Sequence, residues 1–466
     1  MESLAFDLIV IGGGPAGASG ALAAAIFGKK VALIEKAPMV GGAGINTGTI
    51  PSKALRESAL VISGWRARKL LGVEVSVRRE AKLSEFTYHE RQVGEGERSQ
   101  LEARLQERRV QIFQGRASFL APHTVKVETG AGEPLRLRGD VMLIATGSSP
   151  ARPREFPFEH PCVHDSDEIL DIVDLPQKLA VVGAGVIGAE YACTFAALGV
   201  EVHLIDGRDV LLPFLDREVS TALTTAMERG GVQFHWKERV TACQAPTSGD
   251  IELTLTSGRQ LRVTDVLVAA GRFSNTSELD LATAGVTPGE RGVLDVDSFY
   301  RTAVPHIYAA GDVIGPPALA ATGIEQARVA VCHAFNLIEK EFAPILPMGI
   351  YTIPEISMAG DTEESLTRRG IEFVAGRANY AQNPRGRLIG EETGFLKLLF
   401  RRPDMRLIGV HAIGEQATEL VHIGLIALLS GGDANLFNRA CFNYPTLGDL
   451  YKYATYDALL QTLLEK

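Results

Sequence analysis

Residues 6–35 read FDLIVIGGGPAGASGALAAAIFGKKVALIE, and residues 179–206 read LAVVGAGVIGAEYACTFAALGVEVHLID. In the first stretch an apolar run over residues 6–11 predicts a buried strand. Gly12, Gly14 and Gly17 then form a GxGxxG turn. The small-residue pattern of 18–27 predicts a helix that breaks at Gly28, and a second apolar run, 31–34, ends at Glu35. A glycine fingerprint between a strand and a helix, with an acid closing the next strand, predicts a dinucleotide-binding fold. The free N–H groups of the helix start suit a pyrophosphate, and the acid suits a ribose 2′-hydroxyl.

The second stretch repeats the unit. Gly183, Gly185 and Gly188 match Gly12, Gly14 and Gly17, Gly199 matches Gly28, and Asp206 matches Glu35, at one constant offset of 171 residues (183 − 12, and likewise 206 − 35). Glycines at these positions serve helix–sheet packing even without a ligand. Packing alone does not call for an acid at the end of the second strand in both copies, so the pair predicts two nucleotide sites in one chain.

Working outward, 143–147 (LIATG) and 267–271 (LVAAG) are apolar strands that end in small residues, each closing the segment after one nucleotide fold. Pro150, Pro153 and Pro157 mark a crossing between domains, and 307–312 (IYAAGD) is a third strand-and-glycine signal. Past Pro344 the glycine pattern stops. The expected fold class is α/β: two Rossmann-like dinucleotide-binding domains and a C-terminal α+β domain. The expected boundaries are 1–150 with 272–344, then 151–271, then 345–466.

Composition agrees with a multi-domain enzyme or binding protein. The chain has 466 residues, enough for about three domains. Its net charge of −9, with no Lys/Arg block, argues against nucleic acid or an anionic membrane as partner. No apolar run reaches the ~18 residues of a membrane span. The chain begins Met-Glu and enters the strand pattern directly, which predicts no signal peptide and a cytoplasmic location. The five cysteines, Cys162, Cys193, Cys243, Cys332 and Cys441, are far apart, so neither a disulfide framework nor a metal site is expected.

The order of GGGPAG (12–17), GTIPSKAL (48–55), ATG (145–147), GAGVIGAEYA (183–192), AAGRFSNT (269–276), YAAGD (308–312) and YTIPE (351–355) resembles the flavoprotein disulfide reductases, the class I pyridine nucleotide-disulfide oxidoreductases. The resemblance spans essentially the whole chain. It implies FAD in the first copy, NAD(H) or NADP(H) in the second, and a homodimer built by the C-terminal part, to which an apolar pattern over 421–429 adds weak support. It carries Gly12, Gly14, Pro15, Ala16, Gly17, Glu35, Lys36, Ala145, Thr146, Gly147, Gly311, Asp312 and Ala320 over as flavin-site residues, with Asp312 on the ribityl chain. It carries Gly183, Gly185, Gly188, Glu190, Asp206, Arg208, Gly271 and Arg272 over to cofactor binding around the second copy. Lys53 and Glu190 are the expected catalytic pair, with Lys53 presenting its ammonium to the flavin. Judged by local chemistry alone, Lys53 reads as a surface lysine, Glu190 equally well as a first-turn helix acid, and Arg208 and Arg272 as solvated charges.

Two departures narrow the expectation. The positions of the family's redox cysteines are Gly44 and Thr49, and where the family has His before Pro-Thr and Glu five residues later, this chain has Tyr444 and Asp449. Neither Gly44 nor Thr49 supplies a thiolate, and a phenol of pKa about 10 is a poor proton shuttle at neutral pH. Among thiol-poor relatives the motifs are most similar to the soluble pyridine nucleotide transhydrogenases, which pass a hydride between NADPH and NAD+. Those usually retain the first cysteine. The alternatives that stay open are a quinone or dye reductase and a non-catalytic redox-sensing flavoprotein. The loop Asp206-Gly-Arg208 carries both an acid, which favours NAD, and an arginine able to accept the 2′-phosphate of NADP.

Overall fold

A computed structural model describes residues 3–64, 88–130, 132–337, 344–391 and 393–464. The stretch 338–343, just before the expected boundary at Pro344, lies outside the described residues.

Each glycine fingerprint sits where a parallel strand of one sheet hands over to its helix. In the first sheet the strands run in the order Gln111–Gln114, Val31–Glu35, Leu4–Ile11, Leu135–Ile144, with the first three and the last mutually parallel. The long strand Leu135–Ile144 has two neighbours on its far edge. Thr124–Glu128 pairs antiparallel with its first half, and Ile307–Ala309 pairs parallel with its last three residues. The segment read as a third strand-and-glycine signal therefore returns to the first sheet, 160 residues and more along the chain. Both faces are covered, and the strands read as continuous apolar runs for that reason: Leu8, Ile9 and Val10 are fully buried.

The second sheet is wholly parallel, in the order Val232–Trp236, Glu201–Asp206, Lys178–Val182, Asp265–Val268, Val163–Asp165. A three-stranded antiparallel meander, Val240–Gln244, Ile251–Leu255 and Gln260–Val263, packs beside it. The chain enters and leaves this region through one two-stranded ribbon, Ser148–Pro150 against Arg272–Ser274. The C-terminal sheet is antiparallel, Met348–Ile350, Ile356–Gly360, Arg406–Ile413, Phe395–Arg401, Phe373–Asn379, and helices Ala417–Leu429 and Leu450–Leu464 pack on it.

One helix differs in extent from the sequence reading. It runs Pro15–Ile26 rather than 18–27, because Gly14 is the N-cap and Pro15 takes the first helical position, where its missing N–H costs nothing. The apolar pattern over 421–429 lies within helix Ala417–Leu429.

Candidate functional site

The two glycine loops solve one steric problem in the same way. Gly12 has φ +105° and Gly183 φ +104°, in the region that favours glycine. A Cβ on Gly12 would stand 2.3 Å from the Ala145 carbonyl oxygen, and one on Gly183 would stand 2.5 Å from that of Ala269. The third glycine of each motif lets the helix approach the first: a Cβ on Gly17 would lie 1.8 Å from Gly12 O, and one on Gly188 1.9 Å from Gly183 O. Helices Pro15–Ile26 and Val186–Ala197 then start on an extended Gly14 and Gly185 with no side-chain cap, which leaves their first N–H groups for a ligand.

The acid of each copy locks its loop. Glu35 accepts hydrogen bonds from the N–H of Gly13 (2.7 Å) and Ala37 (2.8 Å). Asp206 accepts from Ala184 N–H (2.7 Å) and Arg208 N–H (2.8 Å). The copies differ in one respect. The Arg208 guanidinium also donates to both oxygens of Asp206, from Nε at 2.8 Å and Nη2 at 2.7 Å. Burial pushes the Asp206 carboxyl up, but the bonds from Arg208 outweigh it and hold the pKa at about 2. Among the described residues no guanidinium pairs with Glu35, and the neighbouring Lys36 pairs with Glu278 at 3.6 Å.

A cavity of about 530 Å³ opens at the first loop. Its walls come from Gly12, Gly14, Pro15 and Ala16, from Glu35 and Lys36, from Ala145, Thr146 and Gly147, and from Gly311, Asp312 and Ala320. The residues fit a dinucleotide such as FAD. Two buried polar atoms on the wall, Thr146 Oγ1 and Asn46 Oδ1, have no hydrogen-bond partner among the described residues, and a polar ligand would supply one. The floor is backbone pressed on backbone, since a Cβ on Gly42 would stand 2.8 Å from Gly14 Cα. Asp312 faces this cavity while accepting from Ser148 Oγ at 2.8 Å.

The remaining expected residues lie elsewhere. Gly17 works through packing. Gly271 and Arg272 do not line this cavity: Arg272 donates to Ser148 O and Oγ (2.8 Å each) and to Asp167 (3.2 Å), which clamps the ribbon between the two sheets. Lys53 and Glu190 are brought together from 137 residues apart, Nζ to Oε2 at 2.6 Å.

The other oxygen of Glu190 accepts from the backbone N–H of Tyr351 at 2.9 Å, and the Lys53 ammonium stands 5.1 Å over the Tyr351 ring. Helix Thr49–Ile62, helix Val186–Ala197 and the YTIPE segment therefore meet at one point. Arg56, one helical turn from Lys53, secures the junction by donating to Thr352 O (3.0 Å) and Glu355 (3.3 Å). Tyr351 and Arg56 were not singled out from the sequence, although the motif YTIPE was. Cys193, one turn from Glu190, is buried, accepts from Ile353 N–H at 3.2 Å, and has its thiol pushed up to about 12 chiefly by burial.

The sequence profile of the pyridine nucleotide-disulphide oxidoreductases matches residues 6–334, and that of their dimerisation domain matches residues 346–455. The chain belongs to this family. Two relatives carry the description soluble pyridine nucleotide transhydrogenase. That of Mycobacterium bovis is 43% identical over 455 residues, covering 97% of each chain. That of Chromohalobacter salexigens is 40% identical over 467 residues, covering 97% of this chain and 98% of its own. Among solved structures, LpdA from Mycobacterium tuberculosis superposes with a TM-score of 0.89 at 27% identity, over 96% of this chain and 99% of its own. The family uses FAD and pyridine nucleotides, in keeping with the two glycine loops. Among the described residues no group of His, Cys, Asp or Glu is placed to hold a metal, and no helix is long and apolar enough to cross a membrane.

Proposed function

We propose that the chain is an FAD-dependent, homodimeric NAD(P)+ transhydrogenase of the soluble, cytoplasmic type. The observation that carries the reading is the combination of an ordered Lys53–Glu190 pair with Gly44 and Thr49 in place of thiols: the nicotinamide side of the site is kept and the thiol side is not. The relatives' descriptions point the same way.

FAD, when bound along Gly12–Gly17, Thr146 and Asp312, supplies a two-electron carrier between one nicotinamide nucleotide and the next. The chain's own residues bind, orient and polarise. The second glycine loop and its helix start hold the nucleotide pyrophosphate. Lys53 offers a fixed positive charge to the flavin site, held in place by Glu190 so that no reorganisation accompanies the reaction. Glu190 is itself fixed by the Tyr351 N–H. With one nicotinamide fold in each chain, donor and acceptor nucleotides take turns in a single site.

The dimer reading rests on the dimerisation-domain match and on apolar side chains left exposed on the C-terminal helices: Ile426 of helix Ala417–Leu429, whose inner side is core, is 65% exposed, and Leu460 and Leu463 of the last helix are exposed too. Light scattering at micromolar concentration tests it, and a monomer would contradict it.

One observation favours a second reading. A largely apolar cavity of about 1040 Å³ is lined by both Gly44 and Thr49, which supports a reading in which a quinone is taken on the thiol side. Steady-state assay separates the two: NADPH-driven reduction of thio-NAD+ with parallel-line kinetics supports transhydrogenation. Turnover with benzoquinone and none with thio-NAD+ supports the quinone reductase.

A further inference from the structure

We infer that Arg239 is a specificity-determining residue that, together with Arg208, receives the 2′-phosphate of NADP(H). The inference rests on the reading that the Gly183–Asp206 fold holds the nicotinamide nucleotide.

Arg239 lies 33 residues beyond Asp206 in sequence, in the turn after strand Val232–Trp236. That turn is stitched to the ribose loop by two backbone hydrogen bonds, Lys237 N–H to Arg208 O (3.0 Å) and Glu238 N–H to Asp206 O (3.1 Å). Lys237 takes φ +59° to make the reversal. Arg239 is then pinned from the other side, its N–H donating to Thr256 Oγ1 (3.3 Å) and its carbonyl accepting from Thr256 N–H (3.0 Å).

The result is a guanidinium laid against Gly207. A Cβ on Gly207 would stand 2.7 Å from Arg239 Nε, so the residue between Asp206 and Arg208 has to be glycine for Arg239 to lie there. Arg239 differs from its neighbours in lacking a counter-charge. Arg208 is bound to Asp206, Lys237 pairs with Asp209 at 3.1 Å, and Glu238 is turned away to Thr256 and Ser257. Among the described residues no carboxylate reaches the Arg239 guanidinium.

At the ribose edge Asp206 is neutralised by Arg208, Glu238 is hydrogen-bonded to Thr256 and Ser257, and Arg239 presents a guanidinium that no carboxylate pairs among the described residues. That arrangement favours an anion on the ribose, while the carboxylate remains present for the 2′-hydroxyl of NAD(H). A phosphate between two guanidinium groups receives charge-assisted, fork-shaped hydrogen bonds, the chemistry in which arginine exceeds lysine. The site is thereby able to take both nucleotides in turn, as a single-site transhydrogenase requires.

The experiment is calorimetric titration of the holoenzyme with adenosine 2′,5′-bisphosphate and with 5′-AMP, which differ only by the 2′-phosphate. For the wild type the bisphosphate is expected to bind more tightly, with the margin shrinking as salt is raised. Arg239→Gln is expected to lower bisphosphate affinity about tenfold to a hundredfold, with less than a twofold change for 5′-AMP. Arg239→Lys should recover part of the loss. Gly207→Val, which displaces the guanidinium without removing it, should lower bisphosphate affinity in the same direction. An unchanged affinity ratio in Arg239→Gln, or equal weakening of both ligands, would overturn the inference. Wild-type enzyme that binds neither ligand would instead overturn the nucleotide-site reading, and this inference with it.

Discussion

Lys53 and Glu190, 137 residues apart in sequence, meet at 2.6 Å, and the carboxylate oxygen not used by the lysine is held by the Tyr351 backbone at 2.9 Å. The ammonium is therefore positioned from outside its own helix. On the proposed reading Lys53→Met removes the fixed charge offered to the flavin, and it is expected to slow anaerobic bleaching of the flavin by NADH about a hundredfold to a thousandfold, the range seen when one preorganised electrostatic donor is lost. Glu190→Gln leaves the shape but weakens the hold on Lys53, and a loss of about tenfold to a hundredfold is expected. Stopped-flow absorbance of the flavin measures both.

Thiols are expected to be dispensable. Gly44 and Thr49 stand where the sequence reading places the redox pair, and Cys193, the cysteine in the Glu190 helix, is buried and keeps its proton with a pKa of about 12. A thiol in that state is neither nucleophile nor electron relay. Activity after treatment with iodoacetamide should match the untreated enzyme, and lipoamide should not be turned over. Lipoamide reduction at a rate comparable with nucleotide turnover would show that another thiol pair reaches the flavin.

Gly44 is tied to its place by packing. A Cβ there would stand 2.6 Å from Pro15 Cγ, in a ring that cannot swing aside. Gly44→Ala is expected to cost about 1–3 kcal/mol through overpacking. Gly96 makes the contrast, since a Cβ on it meets nothing within 4 Å and it lies inside helix Tyr88–Glu107. Gly96→Ala is expected to stabilise by about 0.5–1 kcal/mol. Chemical denaturation of the two variants against the wild type checks both signs.

A buried ion cluster joins the second sheet region to the C-terminal one. Lys397, 1% exposed, bonds Asp216 at 2.8 and 2.9 Å and Glu363 at 2.8 Å. Burial pushes the Asp216 carboxyl up, but its charged and hydrogen-bonded partners, Lys397 among them, outweigh that and leave it lowered. For Lys397, burial alone would lower the pKa, and the bonds to Asp216 and Glu363 raise it. A depressed carboxylate stabilises the fold above its unfolded pKa and loses that contribution as pH falls through the folded value, so the wild type should weaken in acid, below about pH 4. Lys397→Met strands the buried Asp216, while Glu363 keeps Arg377 at 3.2 Å, and is expected to cost about 3–5 kcal/mol at pH 7, with the gap to wild type narrowing in acid as Asp216 protonates. Denaturation at pH 7 and at pH 4.5 measures the gap, and a gap that does not change with pH would contradict the assignment.

What could be read in the sequence follows from which interactions demand a residue type. Gly12 and Gly183 were legible because a Cβ at either would collide with a carbonyl, so only glycine serves and the spacing repeats. Glu35 and Asp206 were legible because both lock their loops through a carboxylate. Tyr351 was not, because what it gives Glu190 is a backbone N–H that most residues possess. Arg239 was not, because it reaches Gly207 from a different strand end, and no local spacing records that approach. Arg272 was legible as a charge, but its bonds to Ser148 and Asp167 depend on how the ribbon folds back.

In the proposed cycle electrons leave by the face at which they arrive. Anaerobic stopped flow tests it most directly: the holoenzyme is reduced with NADPH, stripped of free nucleotide, and mixed with thio-NAD+ or with benzoquinone at equal concentration. Hydride return needs the same stacking as hydride arrival, for which the proposed reading uses the Lys53–Glu190 pair and the Gly183–Gly188 loop. Thio-NAD+ is expected to restore the oxidised flavin spectrum at least as fast as benzoquinone, with Lys53→Met slowing the nucleotide reaction. Rapid reoxidation by benzoquinone with little or none by thio-NAD+ would contradict it.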